Sequence, residues 1–239
     1  MDQLSLPSVR GMARKREVGS DPRPAPLSDP RTAGLPSLLL SARVVVISDF
    51  NCPYCFTLNE WLSELGLARA VRWVGVEHKP HLPSGLVRSN RPDDLQTLQR
   101  EVADVSRRAP EVGVTLPPVW VNSRRALLIQ ALLEDEQPQL AHRVRRDLFR
   151  AFWHHGRDLS AAAVIEAALA SSDLTLPDED SLDPEELDLV TAWWSSDLDR
   201  IPCMLAPTGA RHLGLQDRLA VEAFVLGALR DRPEGDGCH

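Results

Sequence analysis

Two cysteines separated by two residues, directly after a run of β-branched residues, constrain this chain more than any other feature. In Val44 to Trp61, VVVISDFNCPYCFTLNEW, the stretch Val44 to Ile47 reads as a short apolar strand and Ser48 to Asn51 as a turn. Cys52 then opens a helix that runs to about Leu65. Pro53 suits an early helical position, where its missing N–H costs nothing and its fixed φ is already helical. A helix start presents unpaired N–H groups and the positive end of the dipole, so a thiolate forms more readily on Cys52 than on a free cysteine. Cys55 lies one turn further on, within reach of that sulfur and more buried. The pattern predicts one thiol that attacks and one that resolves. Tyr54, the only tyrosine, stands between them.

Strand, acidic turn and CPYC together resemble the active-site segment of thioredoxin-fold oxidoreductases. The S-D-x-x-C-P-x-C form, here Ser48 to Cys55, is most similar to the DsbA-like and FrnE-like branch. That resemblance implies an α/β thioredoxin-like fold with a large helical insertion, and thiol–disulfide exchange as the activity. Enzymes of this kind place a cis-proline opposite the C-x-x-C, and Ile201 and Pro202 resemble that element. The resemblance therefore implies Cys52, Cys55 and Pro202 as the catalytic group, with Pro53, Tyr54, Ile201 and Cys203 beside the substrate. Threonine or another small residue usually stands where this chain has Cys203. A third sulfur there is either an alternative disulfide partner that tunes the pair or a small buried hydrophobe. Asn122, Ser123 and Ala126 look like the family's helix-opening N-T/S-x-x-A, and Phe149 to Leu159 is similar to a later run of the same family.

Taken in order, Met1 to about Gly34 carries Pro22, Pro24, Pro26 and Pro30 among charges without helical or strand period, and is expected to be a flexible extension. Its Arg14, Lys15 and Arg16 read as a solvated cluster. Residues 35–91 form the first part of the thioredoxin-like domain, with a second strand over Val71 to Val76. His78 and His81 follow in a proline-broken loop that the resemblance brings near the cleft, where both read as structural. Residues 92–198 form the helical insertion. Its first helix runs from Asp93 to Arg108 with Leu95, Leu98, Val102 and Val105 as the stripe. Asn122 or Ser123 caps the next, Pro138 restarts helix, Asp158 or Ser160 caps a fourth, and Asp183 with Pro184 announces a fifth. Residues 199–230 complete the domain with a strand over Ile201 to Ala206, a turn, and a helix opened by Leu215 whose stripe is Leu219, Ala223 and Leu226. Residues 231–239 are expected to be a loose tail.

The chain has 239 residues and a net charge of −7, so no basic field recruits nucleic acid or an anionic membrane. There is no apolar run of the roughly 18 residues a membrane span needs and no apolar signal core at the start, which points to the cytoplasm. Four cysteines in this length do not staple a fold, and an isolated C-x-x-C is redox or metal chemistry. No cofactor and no metal are expected: one pair supplies two of zinc's usual four ligands, and completing a site with Cys203 and a histidine would block the nucleophile. Gly209 and Gly214 have Walker-like spacing, but Leu215 and Gln216 stand where Lys and Ser or Thr are required. Two other readings remain. One is glutathione-dependent transfer or isomerisation, as in kappa-class transferases and hydroxychromene-carboxylate isomerases, which put serine at the Cys52 position. The other is a noncatalytic scaffold that binds a partner. The expected partner is a protein or small-molecule thiol or disulfide, with glutathione among the candidates.

Overall fold

The computed structural model describes residues 43–80, 82–87, 92–118, 120–198 and 200–231. The expected extension, His81 and the residues beyond 231 lie outside these. A four-stranded sheet has the order β2-β1-β5-β6, built from β1 (Val44–Ser48), β2 (Val71–Gly75), β5 (Cys203–Leu205) and β6 (Arg211–Leu213). β1 pairs parallel with β2 and antiparallel with β5, and β5 forms a hairpin with β6. α1 (Pro53–Glu64) joins β1 to β2, as a parallel pair requires a crossover. Between β2 and β5 the chain forms β3 (Leu86–Val87), α2 (Pro92–Arg108), β4 (Trp120–Val121), α3 (Arg124–Glu136), α4 (Pro138–Trp153), α5 (Ala162–Ala170) and α6 (Glu185–Asp197). α7 (Arg218–Arg230) closes the fold. The architecture is the thioredoxin-like α/β fold with helices inserted between its two halves.

β1 is buried along its whole length because it is central and covered on both faces, which is why it reads as a continuous apolar run rather than an alternation. β2 is buried almost throughout, with only Arg72 partly exposed. Although β2 is an edge strand, α3 and α6 pack on it; a Cβ at Gly75 would come within 2.9 Å of Leu127 Cδ2. The short β3–β4 ladder, Leu86 with Val121 and Val87 with Trp120, carries no sequence signal long enough to announce it.

Three expectations are corrected. Leu95 is 43% exposed, so the buried stripe of α2 is Leu98, Val102 and Val105. The fourth inserted helix begins at Ala162, with neither Asp158 nor Ser160 at its cap; instead Asp158 Oδ1 accepts from the N–H and hydroxyl of Ser160. On α7 the stripe lies elsewhere. Leu219, Ala223 and Leu226 face solvent, while Val221 and Val225 are buried, with Phe224 and Leu229 packed beside them. Asp217 caps that helix, accepting from Ala220 N–H at 2.9 Å. The helix carries two apolar stripes, and the β-branched one fits the sheet.

Candidate active site

The turn Asp49–Asn51 is anchored from every side, and that anchoring places the cysteines. Cys52 N–H donates to Asp49 O at 3.1 Å, closing the turn. Trp153, at the end of α4, donates its indole N–H to Phe50 O at 2.9 Å. Asn51 donates to Val121 O at 2.7 Å and accepts from Val121 N–H at 3.4 Å, tying the turn to β4. Ser123, expected to cap α3, makes no cap bond; its hydroxyl donates to Asp49 Oδ1 at 2.6 Å. The rotamer that carries the hydroxyl to this buried carboxylate, for a charge-assisted bond, turns it away from the N–H groups of its own helix.

Cys52 is the N-cap of α1, 5% exposed, and its sulfur accepts the Cys55 N–H at 3.4 Å. The same sulfur lies 3.8 Å from Ile201 O across the gap between α1 and β5. Cys55 is fully buried, and burial followed by the neighbouring Cys52 pushes its thiol well above the ordinary range. Both thiols are free. The Ile201–Pro202 bond is cis, and Pro202 O accepts from Gly214 N–H at 2.8 Å, so that edge is held by the turn after β6. Pro53 is buried at the first helical position. Tyr54 is half-buried and donates to Asp104 Oδ2 at 3.2 Å; burial, then Asp104 and Glu101, push its phenol up to about 12.

Cys203 sits in β5 opposite Ile47 and Leu213, fully buried, and burial pushes its thiol up to about 12 despite Arg211. That environment keeps the sulfur protonated and fits a small buried hydrophobe. Among the described residues no three His, Cys, Asp or Glu side chains converge as a metal site.

A cleft of about 590 Å³ opens beside Cys52, lined by Tyr54, His78, Glu101, Arg108, Arg200 and Ile201 among others. Sequence reasoning treated His78 as structural and assigned no role to Glu101, Asp104, Arg108 or Arg200, since α2 and the β5 approach meet only in three dimensions. Asp49 was visible as the acid of the turn but not as a buried charge. It is fully buried and accepts from Ser123, from Asn51 N–H at 3.1 Å, and from both the backbone N–H and Nδ1 of His78 at 3.0 and 2.9 Å. Burial raises its carboxyl, but His78, Ser123 and the Asn51 N–H outweigh burial and hold it below the usual carboxylate range.

A depressed folded-state carboxyl has a signed consequence. Its stabilisation is fully present above the unfolded value, about 3.9, and is lost as pH falls through the lower folded value. Asp49→Asn is therefore expected to lower the urea midpoint near neutrality and to flatten its fall below about pH 4. Urea titrations at a series of pH values check this; parallel acid limbs in the two proteins would contradict it.

Residues 43–181 match the DSBA-like thioredoxin domain family. No curated protein shows a significant match. Among solved structures, a putative protein disulfide isomerase from Nitrosomonas europaea aligns with TM-score 0.56 at 14% identity, covering 80% of this chain and 98% of that one. A probable DsbA oxidoreductase from Streptomyces coelicolor aligns with TM-score 0.55 at 13% identity, covering 82% and 93%. The cytosolic disulfide reductase DsbM from Pseudomonas aeruginosa aligns with TM-score 0.50 at 16% identity, covering 79% and 98%. At these identities the likeness is one of fold. The family match is independent of them and takes in β1, the cysteine turn and most of the inserted helices; the chain belongs to the DSBA-like thioredoxin domain family.

Proposed function

We propose that the protein is a thiol–disulfide oxidoreductase in which Cys52 attacks a substrate disulfide and Cys55 resolves the mixed disulfide. The observation that carries this reading is the asymmetry of the pair. Cys52 lies at a helix start on a polar cleft with a backbone N–H on its sulfur, whereas Cys55 is sealed behind it. The first sulfur stands where a substrate in the cleft can meet it, and burial disfavours charge on the second. Attack by the Cys52 thiolate breaks the substrate S–S bond and releases one thiolate. Cys55 then attacks Cys52, forming the intramolecular disulfide and releasing the second; run backwards, the pair donates its disulfide.

Pro202 shapes the wall opposite Cys52. Ile201 offers its carbonyl there, and Pro53, Tyr54 and Cys203 belong to the immediate surroundings. Residues 92–198 act as one inserted helical unit over the cleft, between the two parts of the thioredoxin-like domain. The substrate is a protein or small-molecule thiol or disulfide, glutathione included, and the setting is the cytoplasm, the compartment in the description of one structural relative. The intact cysteine pair favours redox exchange over glutathione transfer.

Trapping tests the assignment. In Cys55→Ala, incubation with a disulfide peptide is expected to accumulate a mixed disulfide on Cys52, located by peptide mass spectrometry. Adduct on Cys203 instead, or none at all, would overturn it.

A further inference from the structure

The buried Asp49–His78 pair is not used by the exchange scheme above, although it opens onto the same cleft. His78 follows β2, and its side chain is 21% exposed while that of Asp49 is 0% exposed. Asp49 Oδ2 accepts the His78 backbone N–H at 3.0 Å and faces Nδ1 at 2.9 Å. The ionised carboxylate can only accept, so Nδ1 carries a hydrogen and Nε2 is left as the exchangeable position. His78 lines the cleft together with Cys52. The Trp120 ring meets the imidazole edge-on, with centroids 6.0 Å apart, and fixes its plane from β4. The Ser123 hydroxyl and Asn51 N–H occupy Oδ1, so the carboxylate is held from both ends. A buried acid that orients an imidazole lining a nucleophile's cleft is an arrangement for moving protons.

We propose that His78, oriented by Asp49, is the proton donor and acceptor for the substrate sulfur in the Cys52 cleft. This rests on the exchange reading. In the forward step the Cys52 thiolate bonds to one substrate sulfur, the substrate S–S bond breaks, and the electron pair leaves on the other sulfur. The His78 imidazolium gives that sulfur its Nε2 proton, so the products are the mixed disulfide, a neutral thiol and neutral imidazole. In the reverse direction neutral His78 takes the proton from an incoming thiol as its sulfur attacks the mixed disulfide. The pair exchanges protons with solvent through the exposed part of the ring. Asp49 from the turn and Glu101 from α2 bear on His78; Glu77 and Lys79 are its neighbours in sequence, and Cys52, Asp104, Arg108 and Arg200 line the same cleft.

The test uses leaving groups of different basicity with the reduced full-length protein. A nitrophenyl disulfide, 5,5′-dithiobis(2-nitrobenzoate), expels a stable thiolate that needs no proton; bis(2-hydroxyethyl) disulfide expels a basic alkyl thiolate that does. His78→Gln is expected to slow Cys52 modification by the alkyl disulfide by about 10²-fold. The aromatic reaction should stay within about a factor of three of wild type. With the alkyl probe the wild-type rate should pass through a maximum as pH rises, and the variant should lose the descending limb. Asp49→Asn should lie between the two. If it does not fold, His78→Gln decides alone, since its ring is partly exposed. Equal slowing with both probes would mean that His78 acts on Cys52 itself or on the fold, and would overturn the proposal, as would no slowing with either. Failure of wild-type Cys52 to react with either probe would instead overturn the exchange reading.

Discussion

Cys52→Ser is expected to reduce single-turnover reduction of a disulfide substrate by at least about 10⁴-fold, to the level of exchange in solution. A serine hydroxyl is neither ionised near neutrality nor able to form an S–S bond, so the substitution removes the step rather than weakening it. Among the described residues, neither other cysteine can substitute. Cys55 is fully buried with its thiol pushed well up by that burial, and Cys203 is sealed in β5 with its thiol up to about 12. The loss should come without unfolding, because oxygen for sulfur at an N-cap keeps an acceptor for the Cys55 N–H. Stopped-flow turnover together with a thermal melt reads both quantities. Retention of more than about one hundredth of the wild-type rate would move the nucleophile elsewhere.

Arg145→Ala is expected to cost about 3–5 kcal/mol of stability, the effect of breaking a buried ion pair by removing one partner. Arg145 is 1% exposed, at the junction of α4 with α3, α1 and β2. Its Nη1 donates to Glu134 Oε1 at 2.7 Å, its Nε to Asn59 Oδ1 at 3.0 Å, and its guanidinium stacks 4.4 Å from the Trp73 ring centre. Burial lowers its pKa to about 10 against the opposing pull of Glu134, so it still carries its charge at neutral pH. Removing it strands a buried Glu134 carboxylate, whose own pKa burial already raises. Arg145→Met combined with Glu134→Leu should recover most of the loss, because apolar side chains of similar volume replace the pair without stranding a charge. Urea denaturation of Arg145→Met, Glu134→Leu and the double variant, treated as a cycle, separates the pair from its packing. Additive losses would show that the two residues stabilise the fold independently.

These predictions divide by where their grounds were visible. The strand, the cysteine pair and its helix, and the proline before β5 were legible because each is a local pattern. A run of β-branched residues is a buried strand, and proline after cysteine is a helix start. The order of elements around the insertion was legible apart from the short strands β3, β4 and β6, since periodicity marks most of the helices, their prolines and caps shifting only the ends.

Tertiary structure decided the rest, and the reason is that several side chains had more than one physically acceptable use. Ser123 could cap α3 or bond Asp49, and the buried carboxylate drew it away from the helix end. α7 could turn either of two apolar stripes inward, and the sheet selected Val221 and Val225 over Leu219 and Leu226. Asp49 and His78 are 29 positions apart, so no local pattern pairs them. Their contact forms because β1 and β2 run parallel and end side by side, where a charge leaving water must find its partners within the fold. The sequence by itself determined that the cysteine pair stands at a helix start; the cleft that Cys52 faces, and the Asp49–His78 contact beside it, exist only once distant segments exclude water together.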